Sequence, residues 1–283
     1  KLLEKMRQRN CKPNVFIYNK LMTGFVRAGR LDEVEMLRRE MKKEGVKPSI
    51  YTYGTILKFY VNNLEEIEKL CKEMKENGVT PNVIFNNTFM TAHLDNTTKV
   101  EEIFKEIKDG YKEWRRVRQM KHEDMNEEEK EISKMKEKDV KPTDITYNTV
   151  MDANGNDVER VEELWKEMIE NGIKPTDVSY NTRMNAHVDD AERVEELWKE
   201  RIENGIQPDV VSYTDRMHAN IDDVERVEEI WKEMTGKGMK PSVHSYVTFS
   251  NAYSKVGNLN RCKELHKEAK AAGIDLNMVP KKQ

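Results

Sequence analysis

The chain has 283 residues, of which 36% are charged and 37% apolar, and its formal net charge is -3. That apolar share is thin for one deep globular core, but it suffices for a stack of small units that each bury one stripe against their neighbours. The slightly acidic balance excludes a wholesale phosphate binder, so any nucleic-acid contact must come from a local face. Cys11, Cys71 and Cys262 lie far apart and form no CxxC, which excludes a disulfide framework or zinc site and points to a reducing compartment. No run of about 20 apolar residues is present to cross a membrane, and no targeting segment is visible.

In chain order the sequence reads as helix pairs. Leu2, Leu3 and Met6 are spaced like the end of a helix, so residues 1–14 are read as the close of a partial repeat inside which the chain starts. A helical patch from Val15 leads through Gly29-Arg30 into a second helix that stops at Gly45 before Pro48. Pro13, Pro48 and Pro81 each stand seven residues after Met6, Met41 and Met74. Further on, Pro142, Pro175, Pro208 and Pro241 recur every 33 residues, as do Tyr147, Tyr180, Tyr213 and Tyr246, and Trp165, Trp198 and Trp231. Three residue types on one period mark a repeat architecture. Met135, Met168 and Met234 precede their prolines by seven, and Arg201 breaks that series before Pro208.

One unit shows the physics. Tyr147, Val150 and Met151 make a short apolar patch, and Asn154-Gly155-Asn156-Asp157 then breaks the helix, with Asp157 placed to cap the next one. Val161, Leu164, Trp165 and Met168 follow at i, i+3, i+4 and i+7, an amphipathic stripe. Glu162 and Lys166 are expected to pair on the wet face, as solvated outer-face charges. Gly172 supplies the left-handed stop and Pro175 follows it. The first helix of each unit is called helix A and the second helix B. The tyrosines and tryptophans are read as packing residues, and no catalytic, metal or cofactor motif is present.

Tyr18-Asn19-Lys20-Leu21-Met22, Gly29-Arg30-Leu31-Asp32-Glu33 and the run Met41, Gly45, Val46, Lys47, Pro48 resemble a nearly complete pentatricopeptide repeat of the pure-repeat class. Similar copies run to the C-terminus, whereas the Trp-x-x-Leu-Gly-x-x-Tyr pattern of tetratricopeptide repeats is absent. The resemblance implies an all-α fold, a right-handed superhelical solenoid of helix-turn-helix repeats with about seventeen helices. The repeats are read as 15–49, 50–82, 83–115, 116–143, 144–176, 177–209, 210–242 and 243–277, with a tail at 278–283. Residues 15–109 thus hold three repeats, 110–143 a degenerate and shortened fourth, and 144–277 the last four. In the fourth, Glu128 and Glu131 occupy positions that are Val161 and Leu164 one unit later. Trp114, Arg115, Arg116, Val117 and Arg118 precede them, which leaves open a mere spacer or a basic site for phosphate or a protein.

The resemblance also implies that a repeat's fifth and last residues together read one base. The pairs are Asn19 with Ser49, Gly54 with Asn82, Asn87 with Arg115, Met120 with Thr143, Asn148 with Thr176, Asn181 with Asp209, Thr214 with Ser242, and Val247 with Asn277. Amides, hydroxyls and carboxylates suit this task because they can bond a Watson–Crick edge. Asn181 with Asp209 implies uracil, Asn19 with Ser49 and Asn148 with Thr176 lean to a pyrimidine, and Thr214 leans to a purine. Gly54, Met120 and Val247 have no side-chain hydrogen bond to offer. The second residues, Phe16, Tyr51, Ile84, Val117, Ile145, Val178, Val211 and His244, would pack on base faces or else cover inter-repeat core. The implied role is an organellar protein, mitochondrial or chloroplastic, that holds single-stranded RNA by occupancy, without a cofactor. The alternative is a scaffold bound to ribosomal or other organellar complex proteins, which the silent code positions and the degenerate fourth unit favour.

Overall fold

The computed structural model describes residues 2–60, 62–121 and 127–276, and all of their side chains except those of 2, 120, 121, 127, 128 and 131. Among the described residues every regular element is a helix. The chain divides into two compact units, 1–153 and 154–283.

The first unit contains α1 (Leu2–Gln8), α2 (Val15–Arg27), α3 (Leu31–Lys43), α4 (Ile50–Phe59), α5 (Leu64–Glu76), α6 (Val83–Thr91), α7 (Thr97–Lys121), α8 (Glu127–Val140) and α9 (Asp144–Ala153). The A helices α2, α4, α6 and α9 pack side by side as one layer. The B helices α3, α5 and α7 pack on α2, α4 and α6 as the second. The core between them includes Tyr18, Met22, Val34, Leu37, Tyr53 and Ile67, which fall on the facing stripes of amphipathic helices.

The second unit contains α10 (Val158–Glu170), α11 (Asp177–Ala186), α12 (Ala191–Glu203), α13 (Val210–Ala219), α14 (Val224–Gly236), α15 (Val243–Lys255) and α16 (Leu259–Ala271). Each B helix starts at an Asp or Asn cap. Asp157, Asp190, Asp223 and Asn258 accept from the backbone N–H three residues on. The layers meet through a recurring joint. Trp165 meets the Tyr180 ring edge-on at 4.9 Å, and Trp198 meets Tyr213 likewise at 4.6 Å. Arg183 lies over Trp165 at 4.3 Å and Arg216 over Trp198 at 4.5 Å. Arg183 donates to Glu162 on one B helix and Glu200 on the next, and Arg216 does the same with Glu195 and Glu233. Phe249 takes the place of the arginine at the third joint and stacks on Trp231 at 4.5 Å.

These contacts correct the expected Glu162–Lys166 pair. Glu162 turns towards the following A helix, where Arg183 grips it in bidentate fashion and His187 lies 2.9 Å away, while Lys166 faces Glu170 instead. Burial would raise the Glu162 carboxyl, but the hydrogen bonds from Arg183 and His187 prevail and hold it down at about 2.

A second correction concerns the fourth repeat. No helix A opens near Arg116, because α7 runs unbroken from Thr97 to Lys121, so sixteen helices stand among the described residues against about seventeen expected. The B helices α3, α5, α10, α12, α14 and α16 stop where a glycine takes positive φ just past the end, at Gly45, Gly78, Gly172, Gly205, Gly238 and Gly273, and Asn10 does the same after α1. The corresponding place in α7 is Tyr111, for which that backbone is costly, and Gly110 falls one residue early and stays helical. The helix therefore continues, and α8 packs back along it, with Tyr111 and Arg118 bonded to Glu137. The first part of α7 behaves as an ordinary helix B. Val100, Ile103, Phe104 and Ile107 are buried, and Phe104 meets Tyr147 edge-on at 5.3 Å as Trp165 meets Tyr180. Glu128 and Glu131 lie outside the described side chains.

Two outcomes follow from this packing. Trp198 is 4% exposed, so Trp198→Ala should lower the free energy of unfolding by about 3–5 kcal/mol in a denaturant titration. Gly172→Ala should destabilise by roughly 1 kcal/mol because its φ is +69°, whereas Gly110→Ala, inside a helix with open space around it, should stabilise by roughly 0.5–1 kcal/mol. Equal effects of the two alanines on the thermal midpoint would contradict the account of how α7 fails to stop.

Candidate nucleic-acid interface

Every link between repeats ends on a side chain that caps the next helix A. Ser49 accepts from the Thr52 backbone N–H, Asn82 from Phe85, Thr176 from Ser179, Asp209 from Ser212 and Ser242 from Ser245. Four of these caps are reciprocal: the hydroxyls of Thr52, Ser179, Ser212 and Ser245 accept from the cap's own N–H. These third-position hydroxyls are buried and were absent from the sequence reading. The spacing Ser/Thr/Asp-x-x-Ser/Thr at 49–52, 143–146, 176–179, 209–212 and 242–245 is the signal that marks them.

The fifth residue of the preceding helix A leans onto that cap. Asn19 Nδ2 donates to Ser49 Oγ at 3.3 Å, and Thr52 Oγ1 donates back to Asn19 Oδ1 at 2.7 Å. Asn181 Nδ2 lies 3.3 Å from both carboxylate oxygens of Asp209. Thr214 reaches Ser242 through Ser245, whose hydroxyl is 2.8 Å from Thr214 and 3.0 Å from Ser242. Gly54 adds nothing beside Asn82, and Asn148 and Thr176 fall in different units. Asn277 and the side chain of Met120 lie outside the described residues.

The pairing of Asn87 with Arg115 does not form. Arg115 is carried along α7, and Asn87 donates instead to Thr143 Oγ1 at 3.4 Å while Thr146 Oγ1 donates to Asn87 Oδ1 at 2.9 Å. This is the Asn19–Ser49–Thr52 arrangement again, with a separation of 56 residues between Asn87 and Thr143 where Asn19 and Ser49 are 30 apart.

The second residues stand one turn from these pairs and are not core. Phe16 is 60% exposed and Tyr51 69%, and Ile84, Ile145, Val178 and Val211 are all more than half exposed, with His244 also open to solvent. Val117 lies instead within α7. In each unit the starts of the A helices thus present an apolar side chain beside a polar pair.

The pair Asn181–Asp209 is held from beneath by Arg201, the residue that interrupts the methionine series. Its side chain is fully buried and donates to Asn181 Oδ1 and, at 2.8 Å, to the Gln207 carbonyl. Burial would raise the Asp209 carboxyl, but hydrogen bonds from Ser212 and Asn181 and the charge of Arg201 outweigh it and keep the group below its ordinary range. Asp215, whose Oδ2 is buried without a hydrogen-bond partner, goes the other way. Burial and the nearby Asp209 charge push it up to about 7 against the pull of Arg201.

Models of the pentatricopeptide family match most of the chain. One described as a pentatricopeptide repeat domain covers 59–96, 120–157, 153–190 and 196–255, a PPR repeat family model covers 13–62, and a PPR repeat model covers 244–274. The chain belongs to the pentatricopeptide repeat family. A chloroplastic pentatricopeptide repeat-containing protein of Arabidopsis thaliana is 35% identical over 60 residues, 21% of this chain and 12% of that protein. The crystal structure of the pentatricopeptide repeat protein PPR10 in complex with an 18-nt psaJ RNA element matches with a TM-score of 0.61 at 19% identity, over 96% of this chain and 42% of that one. PPR10 from maize matches with a TM-score of 0.51 at 20% identity, over 96% of this chain and 46% of the other. The chain therefore spans less than half the length of these pentatricopeptide proteins, and it shares their fold.

Asp215 gives this site a pH signature. Its carboxyl is raised in the folded state, so it opposes folding increasingly as pH climbs from its ordinary value of 3.8 towards about 7, and fully above that. Asp215→Asn should melt higher than the parent at pH 8, and the gap should close towards pH 4. A gap that does not change with pH would place Asp215 in water.

Proposed function

We propose that this chain binds single-stranded RNA along the starts of its A helices, one nucleotide per repeat, and acts by occupancy. The observation that carries this reading is the set of exposed second-position side chains standing beside hydrogen-bonded fifth-and-last pairs. The solvent-facing apolar residues Phe16, Tyr51, Ile84, Ile145, Val178 and Val211 have no packing purpose, but next to a polar pair such a residue offers a base both a surface to lie on and an edge to bond. The psaJ RNA bound by PPR10, whose fold this chain shares, supports the same reading. Phe16 and Tyr51 are the aromatic platforms, and Asn181 with Asp209, which joins an amide donor to a carboxylate acceptor, is the pair for which the family resemblance implies uracil. The chloroplastic relative supports a place in an organelle, mitochondrion or chloroplast, where covering RNA would shield or present it.

Selection from a random pool of short single-stranded RNAs at near-physiological salt tests this. A defined sequence should be enriched, and Asn181→Thr should move the preference at one nucleotide from uracil towards guanine and leave its neighbours alone. Phe16→Ala and Tyr51→Ala should each weaken binding by about 1–3 kcal/mol. If no sequence is enriched and the Asn181→Thr pool matches the parent pool, base reading is wrong, and a scaffold role among organellar complex proteins takes its place.

A further inference from the structure

We propose that Arg201 is a positioning residue that locks Asn181 for base reading. The assignment rests on the RNA-binding role above. At the matching place in other B helices stand Met41, Met74, Met168 and Met234, all buried and all apolar. Methionine fills that space without a desolvation cost. An arginine there is expensive, since its guanidinium is wholly buried and its Nε has no hydrogen-bond partner. Packing alone gives no reason for the exchange.

What Arg201 touches supplies one. In the first unit the carbonyl oxygens of Asn19 and Asn87 accept from the hydroxyls of Thr52 and Thr146. In the repeat of Asn181 the equivalent hydroxyl, Ser212 Oγ, donates to the Asp209 carbonyl instead. Arg201 takes over the vacated role and donates to Asn181 Oδ1. The Asn181 amide is thereby clamped between a group that only donates and a carboxylate that only accepts. Its carbonyl faces inward and its amide N–H faces Asp209, in one orientation. Threonine hydroxyls both donate and accept, so they tolerate either face of an amide. Without Arg201, Asn181 Oδ1 loses its donor and the side chain is free to leave the pair. Asn181 with Asp209 is also where the base edge meets a full charge, and there a fixed amide contributes most.

The test uses the intact chain and an RNA enriched from the random pool. The nucleotide that responds to Asn181→Thr is identified, and a second RNA carries an abasic residue at that place. Binding of both RNAs is measured for the parent, Arg201→Met and Arg201→Gln, with helix content by circular dichroism as the folding control. In the parent, removing the base should weaken binding about tenfold, the worth of one or two hydrogen bonds and a stacked ring. In both variants that penalty should shrink to about twofold or less, while the abasic RNA binds as it does to the parent. A tenfold penalty retained by the variants overturns the assignment. So does an equal loss of affinity for the intact and abasic RNAs, which would make Arg201 merely structural. Failure of the parent to enrich any RNA overturns the functional reading itself, and the assignment falls with it.

Discussion

The link residue that caps each helix A is the constraint on which the structure turns. An exposed helix start leaves backbone N–H groups unsatisfied, and a short oxygen-bearing side chain just ahead of it satisfies one of them, which is worth about 1 kcal/mol. The same oxygen faces the fifth residue of the preceding helix A, as Ser49 faces Asn19 and Asp209 faces Asn181. One atom therefore both starts a helix and meets the fifth residue of the helix A before it. Whatever else it does, a residue at this place must start a helix, which favours Ser, Thr, Asn and Asp. Among the described residues the caps Asn14, Ser49, Asn82, Thr143, Thr176, Asp209 and Ser242 all follow that preference.

Much of this was legible in the sequence because the information is local and periodic. The tyrosine and tryptophan series fixed which faces are buried, and the glycine–proline order fixed where most B helices end. The second residues were harder to place. A valine or isoleucine at a helix start has no periodic signature that separates core from surface, and only the packed structure shows Val178 and Val211 facing water.

What escaped the sequence did so for identifiable reasons. Counting by 33 carried the expectation across residues 110–143, where the physical stop signal is missing: Gly110 is present but one residue out of register with the turn that needs it. The consequence propagates, since the partner of Asn87 then lies 56 residues away at Thr143 and not at Arg115. Glu162 looked like a solvated charge on a helical wheel, because a wheel knows nothing of Arg183 on the next helix. Arg201 was visible as a break in the methionine series, but its meaning depends on which hydroxyl had turned away from Asn181.

The joints of the second unit have a genetic consequence. Trp165, Tyr180, Arg183, Glu162 and Glu200 make one joint, and Trp198, Tyr213, Arg216, Glu195 and Glu233 make the next with the same chemistry and nearly the same distances. Surfaces that match this closely are interchangeable. Unequal recombination that removes or duplicates one period of coding sequence would bring together halves that already fit, so copy number can drift without an intermediate that fails to fold. The third joint, where Phe249 replaces the arginine, is keyed differently and resists that slippage. Of these three joints it alone does not match its neighbours, while the length ahead of it stays open to change.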